Sequence, residues 1–411
     1  MSDGGRGAGP AFAMKIVRKL AETLGASALV PVASVHVDGC LYHGRAGLDF
    51  AERLAEMGAR VRVPTTLNVG SIDLLHPDLV RLEPPVRARA LELMRVYEEL
   101  GASPTWTCAP YQEARHRPEL GQHVAWAESN AIVFVNSVVG ARTDRYGDFL
   151  DICAAVTGRA PLAGLHLSAN RRGQVLLDCS RLPRSMLQLD AAWPALGHLV
   201  GRAVGTRVPV LSGLPADVGE DSLKALGAAA ASSGGVALFH AVGITPEAPT
   251  EEDAFQGREP DATVVVNAEA LRSARDELST VDSGRIDAVS LGTPHFSVGE
   301  FAALAGLLDR GPELHPDVEV WISTSRHVLA EAERLGYVAI CREAGVRMLV
   351  DTCTYVTPVL TDGVRVVMTN SGKWAWYAPA NLRVQVVFGC LADCVESART
   401  GRVTRDESRW S

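Results

Sequence analysis

Eight cysteines stand out in a chain of 411 residues: Cys40, Cys108, Cys153, Cys179, Cys341, Cys353, Cys390 and Cys394. A chain of this length whose opening reads as a flexible tail, and which is expected in the cytoplasm, does not need disulfide staples. Most of these thiols therefore read as small buried apolar residues, and a subset as soft, strongly donating metal ligands. Cys390 and Cys394 are four apart and share a face if the segment is helical. With Cys353 they make one possible trio, and no C-x-x-C pair occurs. Other chemistry-bearing residues gather in polar stretches that follow short apolar runs. Residues 33–39 carry His36, and residues 64–73 carry Thr65, Thr66, Asn68 and Ser71. Residues 291–300 carry His295, and residues 369–377 carry Lys373. Glu128, Ser129 and Asn130 precede a further apolar run, and Ser137 and Arg142 follow it. His36 and His295 are candidates for proton transfer, with a merely hydrogen-bonded imidazole as the alternative. Ser71 and Ser137 are lesser candidates for the same work. Arg142 and Lys373 suit an anionic group, the first as a fork and the second as a point charge, unless they form surface salt bridges. Thr65, Thr66 and Asn68 are short donors fit for a carboxylate, or formers of local turns. Glu128 with Ser129 and Asn130 either works in a site or orients a ligand from behind.

The elements that must position these residues alternate in type. Helical periodicity covers residues 13–24, 48–57, 85–100, 221–232, 268–278 and 301–308. Gly25, Gly58 and Gly101 stop the first three, and proline sits near the start of the third. Short apolar runs at 28–32, 61–63, 131–135, 208–211, 236–239, 263–266, 288–290, 318–322 and 348–350 read as strands. Such alternation predicts α/β lobes with largely parallel sheets flanked by helices, whose ligands sit past the carboxyl ends of the strands. A chain this long exceeds one hydrophobic core, so two or three lobes are expected, with a boundary within 155–215. Residues 1–11 read as a flexible tail, residues 246–260 as a softer acidic segment, and residues 402–411 as a polar C-terminal tail. The net charge of −8 and the lack of Lys/Arg clusters speak against a nucleic-acid face. No apolar run is long enough to span a bilayer, so a cytoplasmic location is expected. No G-x-G-x-x-G, phosphate loop or G-x-S-x-G motif occurs, which sets aside NAD, ATP and a serine-hydrolase elbow.

Several of these segments, taken in order, resemble the aconitase X family. They are Thr65-Thr66-Leu67-Asn68, Cys108-Ala109-Pro110-Tyr111, and Trp126 to Ala131 followed by Asn136 to Thr143. Gly243 to Ala248, Gly292-Thr293-Pro294-His295, Asp351-Thr352-Cys353 and Asn370-Ser371-Gly372-Lys373 complete the series. The likeness runs from about Phe12 to Gly401 and is similar to the large, catalytic portion of that family. It implies a multi-lobed aconitase-like fold and a hydro-lyase acting on a small hydroxy acid. Two activities go with the family: dehydration of cis-3-hydroxy-L-proline and of mevalonate 5-phosphate. The acidic balance and composition lean towards the first, and a dehydratase for another hydroxy acid is also open. The resemblance further implies an iron–sulfur cluster, [2Fe-2S] or [4Fe-4S], held by Cys108, Cys353 and Cys394. Three thiolates leave one iron open to substrate oxygen. It also implies a small swivelling-domain subunit, making a heterodimer, and that subunit would supply the proton-accepting serine. The alternative from another class is a non-catalytic subunit that merely holds a cluster, against which the retained polar loops argue.

Overall fold

The computed structural model describes residues 5–309 and 311–410. Two compact units divide the chain, Met1–Arg172 and Gly173–Ser411.

In the first unit the opening helix is Ala8–Thr23, burying Ala13, Met14, Val17 and Ala21 along one stripe. Residues 8–11, expected in the tail, form its first turn, and residues 1–4 lie outside the described residues. The centre is a three-stranded parallel sheet, with Val35–Val37 between Thr65–Leu67 and Ala125–Trp126. Every residue of these strands is buried, as expected for a sheet covered on both faces. Helices Arg45–Glu56, Pro84–Glu99 and Leu150–Thr157 accompany it, the second opening on proline. Residues 61–63 are not a strand, since pairing starts only at Thr65. Residues 131–135 are not a strand either. Ser129–Phe134 is a helix that continues as a π-helical turn, Val135–Val139, closed by Gly140 at φ +75°. The Glu128 carboxylate accepts from Ala131 N at 2.7 Å and caps that helix. The run is buried all round, so periodicity carries no signal there.

The second unit contains two parallel sheets. The four-stranded one runs His240–Ala241, Pro209–Ser212, Val175–Asp178, Ala262–Val265 in spatial order. Residues 236–239, expected as a strand, lie just before the short pairing at His240. The five-stranded sheet runs Arg347–Leu349, Glu319–Thr324, Ala288–Phe296, Val366–Thr369, Gln385–Phe388. Its middle strand is buried along all nine residues. The chain leaves that strand through helix Val298–Leu308 towards one edge of the sheet. It leaves Val366–Thr369 through helix Gly372–Leu382 towards the other. The order therefore reverses between these two strands, the place where open α/β sheets take ligands. At the C-terminus Trp410 is buried beneath the Arg275 guanidinium, 4.9 Å from the ring centre, so the polar tail packs on the unit.

Candidate functional site

In the first unit, side chains two apart on neighbouring strands face the same way. His36 pairs in register with both Thr66 and Trp126. His36 and Asp38, Thr66 and Asn68, Trp126 and Glu128 therefore share one face at the carboxyl end of this sheet. His36 is fully buried, its ring 5.8 Å from that of Trp126. Its Nδ1 lies 2.8 Å from Thr66 Oγ1, and the Thr66 hydroxyl donates to Val35 O at 3.3 Å. Nδ1 is then the protonated nitrogen, and Nε2 keeps its lone pair. Burial pushes the imidazole down to about 3, the Glu128 carboxylate opposing this and His116 adding to it. So strong a depression leaves His36 neutral and a poor proton acceptor, which speaks against it as a candidate for proton transfer. Its buried Nε2 has no hydrogen-bond partner.

The short donors in and just after the strand Thr65–Leu67 are already engaged, Thr65 on the face opposite to Thr66 and Asn68. Thr65 Oγ1 donates to Val63 O at 2.8 Å, and Asn68 Nδ2 donates to Asp38 Oδ1. They turn acceptors outward: the buried Asn68 Oδ1 is unpartnered as well. The hydroxyl protons of Thr65 and Thr66 are thus committed to main-chain oxygens, which corrects the expectation that these two offer donors to a carboxylate. Ser71 Oγ accepts from Tyr42 N at 2.9 Å. Ser129 Oγ donates to Glu128 at 3.1 Å. Asn130 fixes the loop of buried Cys108, donating to its carbonyl at 2.8 Å while accepting from Tyr111 OH at 3.1 Å. Ser137 is buried in the π-helical turn, an irregularity frequent at functional sites. Arg142 donates to Ser168 Oγ at 2.8 Å and His166 O at 3.3 Å, tying down a neighbouring loop of its own unit.

In the second unit, buried His295 and Cys353 come together, a ring nitrogen lying within 4.8 Å of Sγ. His295 Nε2 faces Thr352 O at 3.3 Å. Hydroxyls pin the Cys353 segment. Thr352 and Thr357 share a bond of 2.7 Å, and Thr354 bonds Ser290 at 2.6 Å and the Trp374 indole at 2.9 Å. Asp351, fully buried, sits at φ +64° and accepts two bonds from Arg326, at 2.7 and 2.6 Å. Lys373 is buried in the first turn of helix Gly372–Leu382, whose cap Ser371 accepts from Trp374 N at 3.0 Å. Cys394 occupies the apolar core with Met368, Val387 and Val395. Burial foremost, then Cys390, Asp190 and Asp393, push its thiol well above the usual range. Cys390 caps helix Leu391–Thr400 and accepts from Arg409 at 3.6 Å. Cys40 donates to Val37 O and Cys179 to Leu177 O, and Cys341 packs in the same core as Cys394, as small buried residues do.

A buried thiol beside a buried imidazole is a donor set that suits a transition metal, and no exposed acidic group is involved. Sequence reasoning missed Asp38, Trp126, Arg326 and the cluster around Lys224. Lys224 is buried, paired with Glu300 and, at 3.0 Å, with Asp221, and it reaches His295 O at 3.4 Å. The i, i+2 spacing of His36 and Asp38 was the available sign of the first.

Parallel sheets with such donors behind their strand ends have the build of a metal-dependent α/β enzyme. Matches to known families make this specific. Models described as Aconitase X first, second and third domain match residues 1–169, 173–276 and 286–400. The chain belongs to the aconitase X family and is a hydro-lyase of that type. It is 44% identical over 413 residues to cis-3-hydroxy-L-proline dehydratase of Pseudomonas aeruginosa, covering 99% of this chain and 70% of that protein. The enzyme of the same name from Hypocrea jecorina is 40% identical, with 97% and 67% covered. The phosphomevalonate dehydratase large subunit of Methanocaldococcus jannaschii is 32% identical, with 93% and 94% covered. The crystal structure of Thermococcus kodakaraensis aconitase X in its holo form matches with a TM-score of 0.86 at 33% identity, covering 97% of both chains. The expected α/β class with parallel sheets, the family and the hydro-lyase activity hold. Among the described residues no helix is long and apolar enough to cross a membrane.

Proposed function

We propose that this chain dehydrates cis-3-hydroxy-L-proline, working with a small swivelling-domain subunit and an iron–sulfur cluster held by Cys108, Cys353 and Cys394. The observation that carries the metal part is the buried Cys353 and His295 pair. The substrate part is supported by 44% and 40% identity to two dehydratases of that name, against 32% for the phosphomevalonate enzyme. When bound, the cluster supplies a Lewis acid for the departing hydroxyl oxygen. The chain's own residues do the rest. Lys373 and Arg142 supply positive charge for the substrate carboxylate. Thr66 orients His36, Asn130 holds the Cys108 loop, and Arg326 with Asp351 fixes the approach to Cys353. Within the first unit Glu128, Ser129 and Ser137 line or brace the strand ends, and Thr65 supports its strand from the opposite face. The proton from the carbon beside the carboxylate goes to Ser71, His295 or a serine of the small subunit. His36, being neutral and weakly basic, does not take it.

Purified without oxygen together with its small subunit, the protein is expected to be brown, with iron and sulfide, and to dehydrate cis-3-hydroxy-L-proline. Cys108→Ala, Cys353→Ala and Cys394→Ala should each strip iron. A colourless, iron-free complex that retains full activity would end the cluster assignment. Activity on mevalonate 5-phosphate alone would end the substrate assignment.

A further inference from the structure

The carboxyl end of the first unit's sheet presents two buried acceptors that the protein leaves unanswered. His36 Nε2 and Asn68 Oδ1 both lack partners, on residues that are 0% and 3% exposed. An acceptor left unmade in a buried setting is costly, and native proteins leave few, so a ligand or an ordered water is called for. The two orphans are related by the pleat. Asn68 lies two residues beyond Thr66, the register partner of His36, so their Cα atoms are roughly 8 Å apart by ordinary strand spacing and rise. A molecule the size of a five-membered ring can touch both side chains. Their neighbours set the roles of both. The Thr66 hydroxyl spends its proton on Val35 O and so takes the Nδ1 proton of His36. Asp38, a carboxylate beside the amide, holds Asn68 Nδ2 and turns its oxygen away. Glu128 adds negative charge on the same face, felt at His36.

We propose that His36 and Asn68 receive the ring nitrogen of the substrate. This rests on the reading that the substrate is cis-3-hydroxy-L-proline. The secondary ammonium of such a ring carries two N–H donors and one positive charge. One proton goes to His36 Nε2, the other to Asn68 Oδ1, and the charge faces Asp38 and Glu128. Proton transfer has no part in the contact, and the low basicity of His36 suits an acceptor that must stay neutral.

The test compares two competitors with the same ring, L-proline and cyclopentanecarboxylate, which lacks the nitrogen. Binding to the complete, cluster-loaded complex is read by calorimetry and by inhibition of turnover. The wild type should favour L-proline. His36→Leu and Asn68→Leu should each raise KM for cis-3-hydroxy-L-proline roughly ten- to a hundred-fold, as loss of a hydrogen bond to a charged group does. They should also shrink the preference for L-proline by the same factor while binding of cyclopentanecarboxylate stays unchanged. His36→Gln, which can keep an acceptor near the Nε2 position, should recover most of the preference. Equal weakening of both competitors means the residues are structural and overturns the inference. So does a preference that survives both leucine variants, as it would if a water filled the gap. If the wild-type complex turns over cis-3-hydroxy-L-proline while either result is obtained, the proposed activity stands and only the nitrogen receptor falls. A wild type that neither turns it over nor favours L-proline ends both.

Discussion

Arg326→Leu should unfasten the segment that carries Cys353. The Asp351 side chain is fully buried, while that of Arg326 is 35% exposed. Two bonds of 2.7 and 2.6 Å join them in a fork, the strong geometry for such a pair. Removing one partner of a buried pair costs about 3–5 kcal/mol, because the remaining buried charge loses the fork that compensated it. Water can follow the vacated guanidinium path, so the lower end, about 3 kcal/mol, is expected here. For a unit the size of residues 173–411, each kcal/mol moves Tm by about 2–4 °C, giving a fall of about 6–12 °C. Asp351 also sits at φ +64°, a conformation the ion pair helps hold, and it precedes Cys353 by two residues. Iron retention should therefore fall with Tm. Thermal unfolding followed by circular dichroism, with iron analysis of the same samples, reads both. Adding Asp351→Asn removes the orphaned charge, and asparagine tolerates the left-handed backbone, so the double variant should regain most of the lost stability. A single variant within about 2 °C of wild type, or a double variant no better than the single, would refute the reasoning.

Three further outcomes are expected. Gly292→Ala should be severely destabilising by denaturant titration, because φ is +84° and a Cβ would lie 2.0 Å from Ser323 O in the neighbouring strand. Burial raises Asp151 to about 7. Its contribution is therefore fully present below pH ~3.9 and lost as pH rises through about 7, by about 4 kcal/mol at most, and Asp151→Asn should flatten that part of the stability profile. His166 runs the other way: burial lowers it to about 3, with Tyr146 OH at 2.5 Å and His123 Nδ1 at 2.9 Å. Its contribution is present above pH ~6.5 and lost as pH falls towards about 3, so His166→Gln should be less acid-sensitive than wild type in that window.

Much of the fold is written in local signals. Proline opens the helix Pro84–Glu99 where the pattern predicts, and glycines close the first three helices. Residues 288–290, 318–322 and 348–350 do become neighbouring parallel strands. What failed was the reading of uniformly apolar runs. Residues 131–135 carry no alternation, and only the Glu128 carboxylate reaching Ala131 N makes them helical. A glutamate at a helix cap is a weak sequence signal beside Ser, Thr, Asp or Asn. The C-terminal segment was misread in the same way: its charges look solvated, yet Arg275 pairs with Glu407 at 2.7 Å and covers Trp410.

The sequence marks the polar segments that follow the strands, and it does not show what their side chains offer. Thr65, Thr66 and Asn68 appear in sequence as donors after a strand. In the folded unit each spends its proton on the nearest main-chain or carboxylate oxygen. Short side chains are close to their own backbone, so self-satisfaction competes with any ligand and often wins. The chemistry then inverts, since a hydroxyl that has given its proton away presents a lone pair, and an amide whose nitrogen is held turns its oxygen outward. His36 follows the same rule one step on. Its Nδ1 proton is fixed by Thr66, which leaves Nε2 bare and makes an apparent base into a neutral acceptor. Residue type and position after a strand therefore nominate candidates, while their preference for a cation or an anion is decided by where the neighbouring protons go.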